Sequence, residues 1–211
     1  MLRHSTRPRT APPRNDIPDV DTLRDGQRQR RDRIVDAAVG LMAAVEYGDI
    51  QVKDIAERAD VALGTLYRYF PSKEQLFSHA LLEWSSRFEE AVLGRRPSGD
   101  SDPERLRTTL ARAARAFERS PNFFQLITVL EVSRDPEVVR SFATFSNSFS
   151  AALSDSLCET DPDDRDAVVD VLVALLGSLM RGWWLGRISM REVHDRTDSA
   201  IALLYRGADE A

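Results

Sequence analysis

Gly64, Thr65, Tyr67 and Arg68 set a bare stretch of backbone, a hydroxyl, a phenol and a guanidinium within five residues of one another. These groups are a hydrogen-bonding kit for phosphates and base edges, not a catalytic set. The segment that carries them, Ala62 to Phe70, puts Leu66 and Phe70 on one helical face. Winding at about 100° per residue places Gly64, Thr65 and Arg68 opposite that face, with Leu63 and Tyr67 on one flank and Tyr69 on the other. A short exposed helix of this kind has the size and chemistry of a major-groove reader. For Tyr67 and Tyr69, packing against neighbouring helices is the alternative. Catalytic chemistry finds no comparable grouping: His4, His79 and His194 are scattered and Cys158 stands alone. No catalytic residue, cofactor or metal site is expected. A single cysteine also suits a reducing cytoplasm.

The elements that must hold those residues are legible in the apolar spacing. Val52, Ile55, Ala56 and Ala59 recur at i, i+3, i+4 and i+7, which makes one helix, and a turn at Asp60–Val61 leads into the next. Upstream, Gln27 to Val45 forms a helix with Ile34, Ala38, Leu41 and Val45 inside. Arg28, Arg30, Arg31 and Arg33 crowd its start, where cations oppose the helix dipole unless a phosphate lies near. Ser72 and Gln75 form a capping box that opens a fourth helix, Lys73 to about Leu93, with Leu76, Phe77, Ala80, Leu81, Trp84 and Phe88 inside. Gly94 to Asp100 reads as a linker.

This stretch resembles the helix-turn-helix of the TetR family of bacterial transcriptional regulators. The residues that carry the likeness are Ile55-Ala56, Ala59, Val61, Gly64 to Phe70, and Ser72-Lys73, within a signature running roughly from Arg28 to Phe88. The run from Glu57 to Lys73 looks most like actinobacterial members that repress steroid catabolism. The resemblance implies that Thr65, Tyr67 and Lys73 touch phosphates, with Thr65 reaching toward a base, and that Gly64 lets the backbone approach the groove closely. Lys53, Leu63, Arg68 and Tyr69 fall where the family varies or reads bases. The chain departs from the pattern at Gln51 and Ala62, where the family carries hydroxyls, and at Asp60, where glycine is common. Those departures weaken the phosphate contact at Gln51, and since Ala62 cannot cap, the reading helix begins either with help from Asp60 or with an unsatisfied turn.

Beyond the head, the sequence reads as helix throughout, so the fold class is all-α: a helix-turn-helix head of three helices, a connecting helix, and a larger helical half. Domains are expected at 1–26 (a disordered arm), 27–88 (DNA binding) and 89–211 (effector binding and dimerisation). The arm either reaches a minor groove or is a solvated tail. Ser101 to Glu104 reads as a capping box, with Leu106, Leu110, Ala113, Ala114 and Phe117 inside the helix that follows. A short apolar helix spans Phe123 to Val132. Asp135-Pro136 and Asp161-Pro162 open two more helices, and Ser189 and Glu192 cap the last.

The segment Asp163 to Gly186 is apolar nearly all round and must be covered all round. With the last helix it fits a two-helix face that pairs with its twin, as the resemblance implies, through Val169, Leu172, Leu176, Ile201 and Leu204. The resemblance also implies a ligand pocket in this half. Phe117, Phe124, Thr128, Phe142, Phe145, Phe149 and Trp183 are the candidates to line it, and Asn122, Gln125, Glu131, Asn147 and Arg181 are further polar anchors. Each aromatic alone reads equally as core. The implied effector is a small apolar compound: an acyl-CoA, a steroid, an aromatic or a drug-like molecule.

Charge gives no independent sign of DNA binding. Gln27 to His79 holds eight basic and eight acidic side chains, and the whole chain carries a net charge of −5. A binder driven by phosphate neutralisation would be more basic. The N-terminus has no apolar signal-peptide core, and the apolar run from Ala167 to Met180 is short for a bilayer and broken by Asp170. A cytoplasmic, nucleoid-associated homodimer with no membrane partner is therefore expected. It would act as a repressor, released from an inverted-repeat operator when effector binding pivots the fourth helix. The alternatives are an activator or ligand-independent regulator and, from another class, a helical enzyme or protein-interaction module.

Overall fold

A computed structural model describes residues 25–92 and 98–206, with side chains described over 25–86 and 98–206. The expected arm, most of the expected linker and the Phe88 side chain lie outside these residues. Nine helices and no strand occur among the described residues: α1 Asp25–Met42, α2 Val52–Arg58, α3 Leu63–Tyr69, α4 Lys73–Val92, α5 Asp102–Arg119, α6 Pro121–Leu130, α7 Pro136–Ser154, α8 Pro162–Trp184 and α9 Met190–Leu204. The all-α expectation holds, with the reading head on α1 to α3 and α4 leading into the larger half.

α1 ends three residues before the expected boundary. Its last turn unwinds through Ala44 N–H to Leu41 O (3.0 Å) and Val45 N–H to Leu41 O (2.9 Å), the fraying that helix ends ordinarily show. Its buried stripe of Ile34, Val35, Ala38 and Met42 faces α4, where Leu76, Phe77, Ala80 and Leu81 are buried in the same core. α4 then packs on α6 and α7, so one helix carries both the head and the larger half.

Capping sets where the larger helices start. Asp135 and Asp161 cap α7 and α8 ahead of a first-turn proline, and Ser189 and Glu192 form the expected reciprocal box on α9. The expected box on α5 does not form, because Ser101 makes no side-chain cap and Glu104 accepts instead from Asp100 N–H at 2.8 Å. Asp102, fully buried, turns to the α7–α8 connection. It accepts from Cys158 N–H (2.8 Å), Glu159 N–H (3.0 Å), and the N–H and Oγ1 of Thr160 (each 2.7 Å), and it pairs with Arg105. Burial alone would raise its pKa. The hydrogen bonds from Thr160, Cys158 and Arg105 outweigh burial and hold the carboxyl well below the usual range.

α8 is 23 residues long and, by length and composition alone, could cross a bilayer, which corrects the expectation of a run too short to do so. In the fold it packs against α5, α6, α7 and α9.

Candidate functional site

The head is built around an αL turn. α2 ends at Ala59, and Asp60 adopts φ 53°. Asp60 N–H donates to Glu57 O (3.1 Å) and Val61 N–H to Ala56 O (3.0 Å), the paired closure of a Schellman motif. That position favours glycine, because a Cβ in the αL region is crowded. The turn redirects the chain into α3. As expected, Ala62 and Gln51 make no side-chain cap on α3 and α2.

α3 stands on Leu66 and Phe70, both buried. Leu63 and Tyr67 are 43% and 44% exposed, Gly64 and Arg68 are exposed and Thr65 is half-buried, while Gln51 and Lys53 are exposed at the start of α2. The outward face is the one the winding predicts. Tyr69 is a correction: at 5% exposure it belongs to the core beneath α3, because its angle on the helix falls nearer the Leu66 side.

Two cations named from the sequence turn inward. Lys73 donates from Nζ to the Tyr47 carbonyl and lies 4.2 Å over the Tyr47 ring. Burial lowers its pKa, against the attraction of Asp49. It braces the start of α4 against the α1–α2 turn, so in this conformation its ammonium is not directed at a phosphate. Tyr47 is pushed up to about 12 by burial first and Glu74 second. Arg31 lies 5.4 Å over the Phe70 ring and meets His79 Nδ1 at 2.9 Å. His79 Nε2 is 3.8 Å from Glu137 of α7. His79 is pushed down to about 4 by burial and then by Arg31, with Glu137 opposing.

The junction between head and larger half is polar and closely made. The Ser72 hydroxyl accepts from Gln75 N–H at 3.1 Å, but the Gln75 side chain does not return the bond; its Nε2 donates to Asp135 Oδ2 at 2.9 Å instead. The expected box is therefore half formed. Ser133 Oγ donates to Glu74 Oε2 at 2.8 Å. From α6, Asn122 Nδ2 donates to Met42 O (3.0 Å) and Gln125 Oε1 accepts from Tyr47 N–H (3.1 Å). Asn122 and Gln125, named as ligand anchors, thus hold the head.

The larger half encloses a cavity of about 310 Å³ between α5, α6, α7 and α8. Phe117, Phe124, Thr128, Phe142, Phe145 and Phe149 line it as expected, and so do Glu131 and Arg181. Trp183 does not, and Asn147 is exposed elsewhere. Both were placed by residue type on helices whose rotation the sequence leaves open. Ile127, Ser146, Val173, Gly177, Ser178 and Met180 also line it and were missed. The available signal was helical spacing, since Ile127 follows Phe124 by three and Ser146 follows Phe142 by four.

The expected pairing face is also corrected. Val169, Leu172, Leu176 and Ile201 are 4%, 0%, 3% and 0% exposed within the chain's own core, and Leu176 lines the cavity. A helix apolar on all sides gives no phase from which to tell inward from outward. Along α8, its end and α9, the large apolar residues left outward are Val171 (51%), Trp184 (37%), Leu185 (45%), Leu203 (61%) and Leu204 (41%), so of the expected face Leu204 alone stays outward.

Comparison with known proteins agrees with this arrangement. Residues 34–80 match the family model described as bacterial regulatory proteins, tetR family, and residues 99–204 match one described as a tetracyclin repressor-like C-terminal domain. The chain is 31% identical to the HTH-type transcriptional repressor KstR of Rhodococcus jostii, over 87% of this chain and 86% of that protein. A TetR transcriptional regulator from Rhodococcus sp. RHA1 has a crystal structure that superposes with a TM-score of 0.71 at 27% identity, covering 85% of this chain and 97% of that one. The regulator FadR of Bacillus subtilis, solved in complex with stearoyl-CoA, shares the fold with a TM-score of 0.63 at 20% identity over 80% and 96% of the two chains.

Proposed function

The chain belongs to the TetR family of bacterial transcriptional regulators, and from that premise we propose how this member reads DNA and how it is released. It is a DNA-binding repressor that responds to a small molecule, and it is not an enzyme. The observation that carries the reading is the outward face of α3. Gly64, Thr65, Tyr67 and Arg68 present hydrogen-bonding groups and bare backbone to solvent from a helix fixed underneath by Leu66, Tyr69 and Phe70. Thr65 and Tyr67 meet phosphates, Arg68 and Lys53 reach base edges, Leu63 offers an apolar contact, and Gln51 sits beside the groove at the start of α2. Lys73 contributes by bracing the head, and its ammonium reaches a phosphate only by leaving Tyr47.

The division into an arm at 1–26, a head at 27–88 and an effector and dimerisation half at 89–211 follows from the same reading, as does a cytoplasmic place of action on the chromosome. Two copies pair through the outward sides of α8 and α9, with Val171, Leu203 and Leu204 covering one another. The paired α3 helices then enter successive major grooves about 34 Å apart and read an inverted repeat. An apolar effector enters the phenylalanine-lined cavity. Because α6 lines that cavity and also holds Met42 and Tyr47, its displacement moves the head along with α4. Such coupling is reciprocal: operator DNA weakens effector binding by the same factor.

The test is selection of bound sequences from a random DNA pool with the full chain, alongside Thr65→Ala/Tyr67→Ala. An enriched inverted repeat that the double variant loses is the expected result. Equal enrichment by both proteins would refute the assignment of α3 as the reader.

A further inference from the structure

We infer that the cavity takes an amphipathic monocarboxylate, with its apolar body among the phenylalanines and its carboxylate on Arg181. This rests on reading the cavity as the effector site and names the ligand class. At about 310 Å³ the cavity lies at the lower end of small-molecule sites. In this conformation it suits a medium-length acyl chain or one or two fused rings, not a large polycycle. Its body is lined by Phe117, Phe124, Phe142, Phe145 and Phe149, which cannot bind a polar group.

Arg181 and Glu131 are the charged residues that line the cavity. Arg181 Nη2 donates to Glu131 Oε2 at 2.6 Å, and this is the one hydrogen bond of its guanidinium among the described residues. A guanidinium carries five N–H donors, so most remain available. Ser178, three residues before Arg181 on the same side of α8, and Ser146 on α7 also line the cavity and make no hydrogen bond there. Glu131 is engaged through Oε2 alone, and the Thr128 hydroxyl, whose hydrogen goes to Gln125 O at 2.7 Å, is left to accept. The serine hydroxyls can donate or accept, so the choice of ligand rests on Arg181, whose fork a carboxylate matches best.

The Glu131–Arg181 pair is weak enough to be exchanged. Its side chains are 47% and 46% exposed, and pairs so placed contribute little to stability. A carboxylate on Arg181 releases Glu131 into water at the rim. A cationic ligand on Glu131 would instead displace the guanidinium. Glu131 thus acts as a competitor that an anionic ligand must displace.

The experiment measures binding of decanoate, decanol and decylamine to the full chain by calorimetry or intrinsic fluorescence, in wild type, Arg181→Gln and Glu131→Gln. Wild type is expected to favour decanoate over decanol by tenfold or more. Arg181→Gln should lose that preference while holding decanol within about twofold, which shows that the cavity survives. Glu131→Gln should bind decanoate about three- to tenfold more tightly. Equal binding of acid and alcohol, a preference kept in Arg181→Gln, preference for the amine, or no binding of any probe would each overturn the inference. DNA selection on the same preparation separates the two readings. Enriched DNA without a carboxylate preference fails this inference alone; a carboxylate preference without enriched DNA fails the regulator reading.

Discussion

Gly64→Ala should move stability and DNA affinity in opposite directions. Within the chain nothing calls for glycine here. Gly64 lies in α3 and is not among the residues with positive φ, and a Cβ added to it meets nothing within 4 Å. Alanine in a helix is better than glycine by roughly 0.5–1 kcal/mol, and by the lower figure in a first turn. For a chain of this size that is a rise in Tm of about 1–2 °C. If α3 lies against a duplex, the same methyl stands where backbone meets groove, and affinity for the selected DNA should fall at least tenfold, about 1.4 kcal/mol. Thermal unfolding and fluorescence anisotropy at one fixed salt concentration read the two effects separately. Unchanged affinity with raised stability would mean that this face never meets DNA closely. Lowered stability would mean that the open space around Gly64 is filled in the native molecule, and the account of α3 would fail.

Three further outcomes follow from the same structure. Asp60→Gly relieves the φ of 53° in the Schellman turn, so it should stabilise by about 1 kcal/mol and leave the selected DNA sequence unchanged, as unfolding curves and the DNA selection will show. His79, pushed down to about 4 from an ordinary 6.5, binds its proton more readily in the unfolded chain. Stability should therefore be full above pH 6.5 and fall by up to about 3 kcal/mol as pH drops toward 4; urea unfolding at several pH values should show a flatter dependence in His79→Phe. Val171→Asp/Leu203→Asp puts carboxylates on the outward side of α8 and α9, and sedimentation should find a monomer with unchanged helical circular dichroism and at least tenfold weaker DNA binding.

What the sequence made legible divides by the kind of signal. The helix-turn-helix could be read because α2 and α3 are amphipathic, with one face apolar and one polar, so their rotation is fixed by their own residues. Three caps could be read because Asp135, Asp161 and the Ser189–Glu192 pair act on their own helices. α8 is apolar on all sides, so its inward residues Val169, Leu172 and Leu176 could not be told from outward Val171. Trp183 was misplaced for the same reason. Lys73 and Asp102 are different cases: the phosphate contact expected of Lys73 gives way to a distant backbone group, Tyr47 O, and Asp102 holds the 158–160 turn, a role that no local pattern marks.

α6 shows why that second kind of signal matters most for function. Its sequence reads as a short apolar helix with Phe124 and Thr128 as pocket candidates and Asn122, Gln125 and Glu131 as ligand anchors, and nothing in it marks a contact with the head. In the fold, Phe124, Ile127, Thr128 and Glu131 recur at i, i+3, i+4 and i+7 and face the cavity. Asn122 and Gln125, from the other side, hold the backbone of Met42 and Tyr47 in the head. Thr128 ties the two faces together by donating to the Gln125 carbonyl. Tyr47 in turn receives Lys73 on its carbonyl and ring, so the start of α4 and the side chains of α6 meet at one residue. A displacement of α6 by a molecule in the cavity would therefore reach the α1–α2 turn through two hydrogen bonds to backbone. Neither bond is specified by a periodic pattern, because backbone acceptors and donors have no residue type. Coupling between the two halves would accordingly be a property of how the helices are assembled, while the outward face of α3 is set by its own residues.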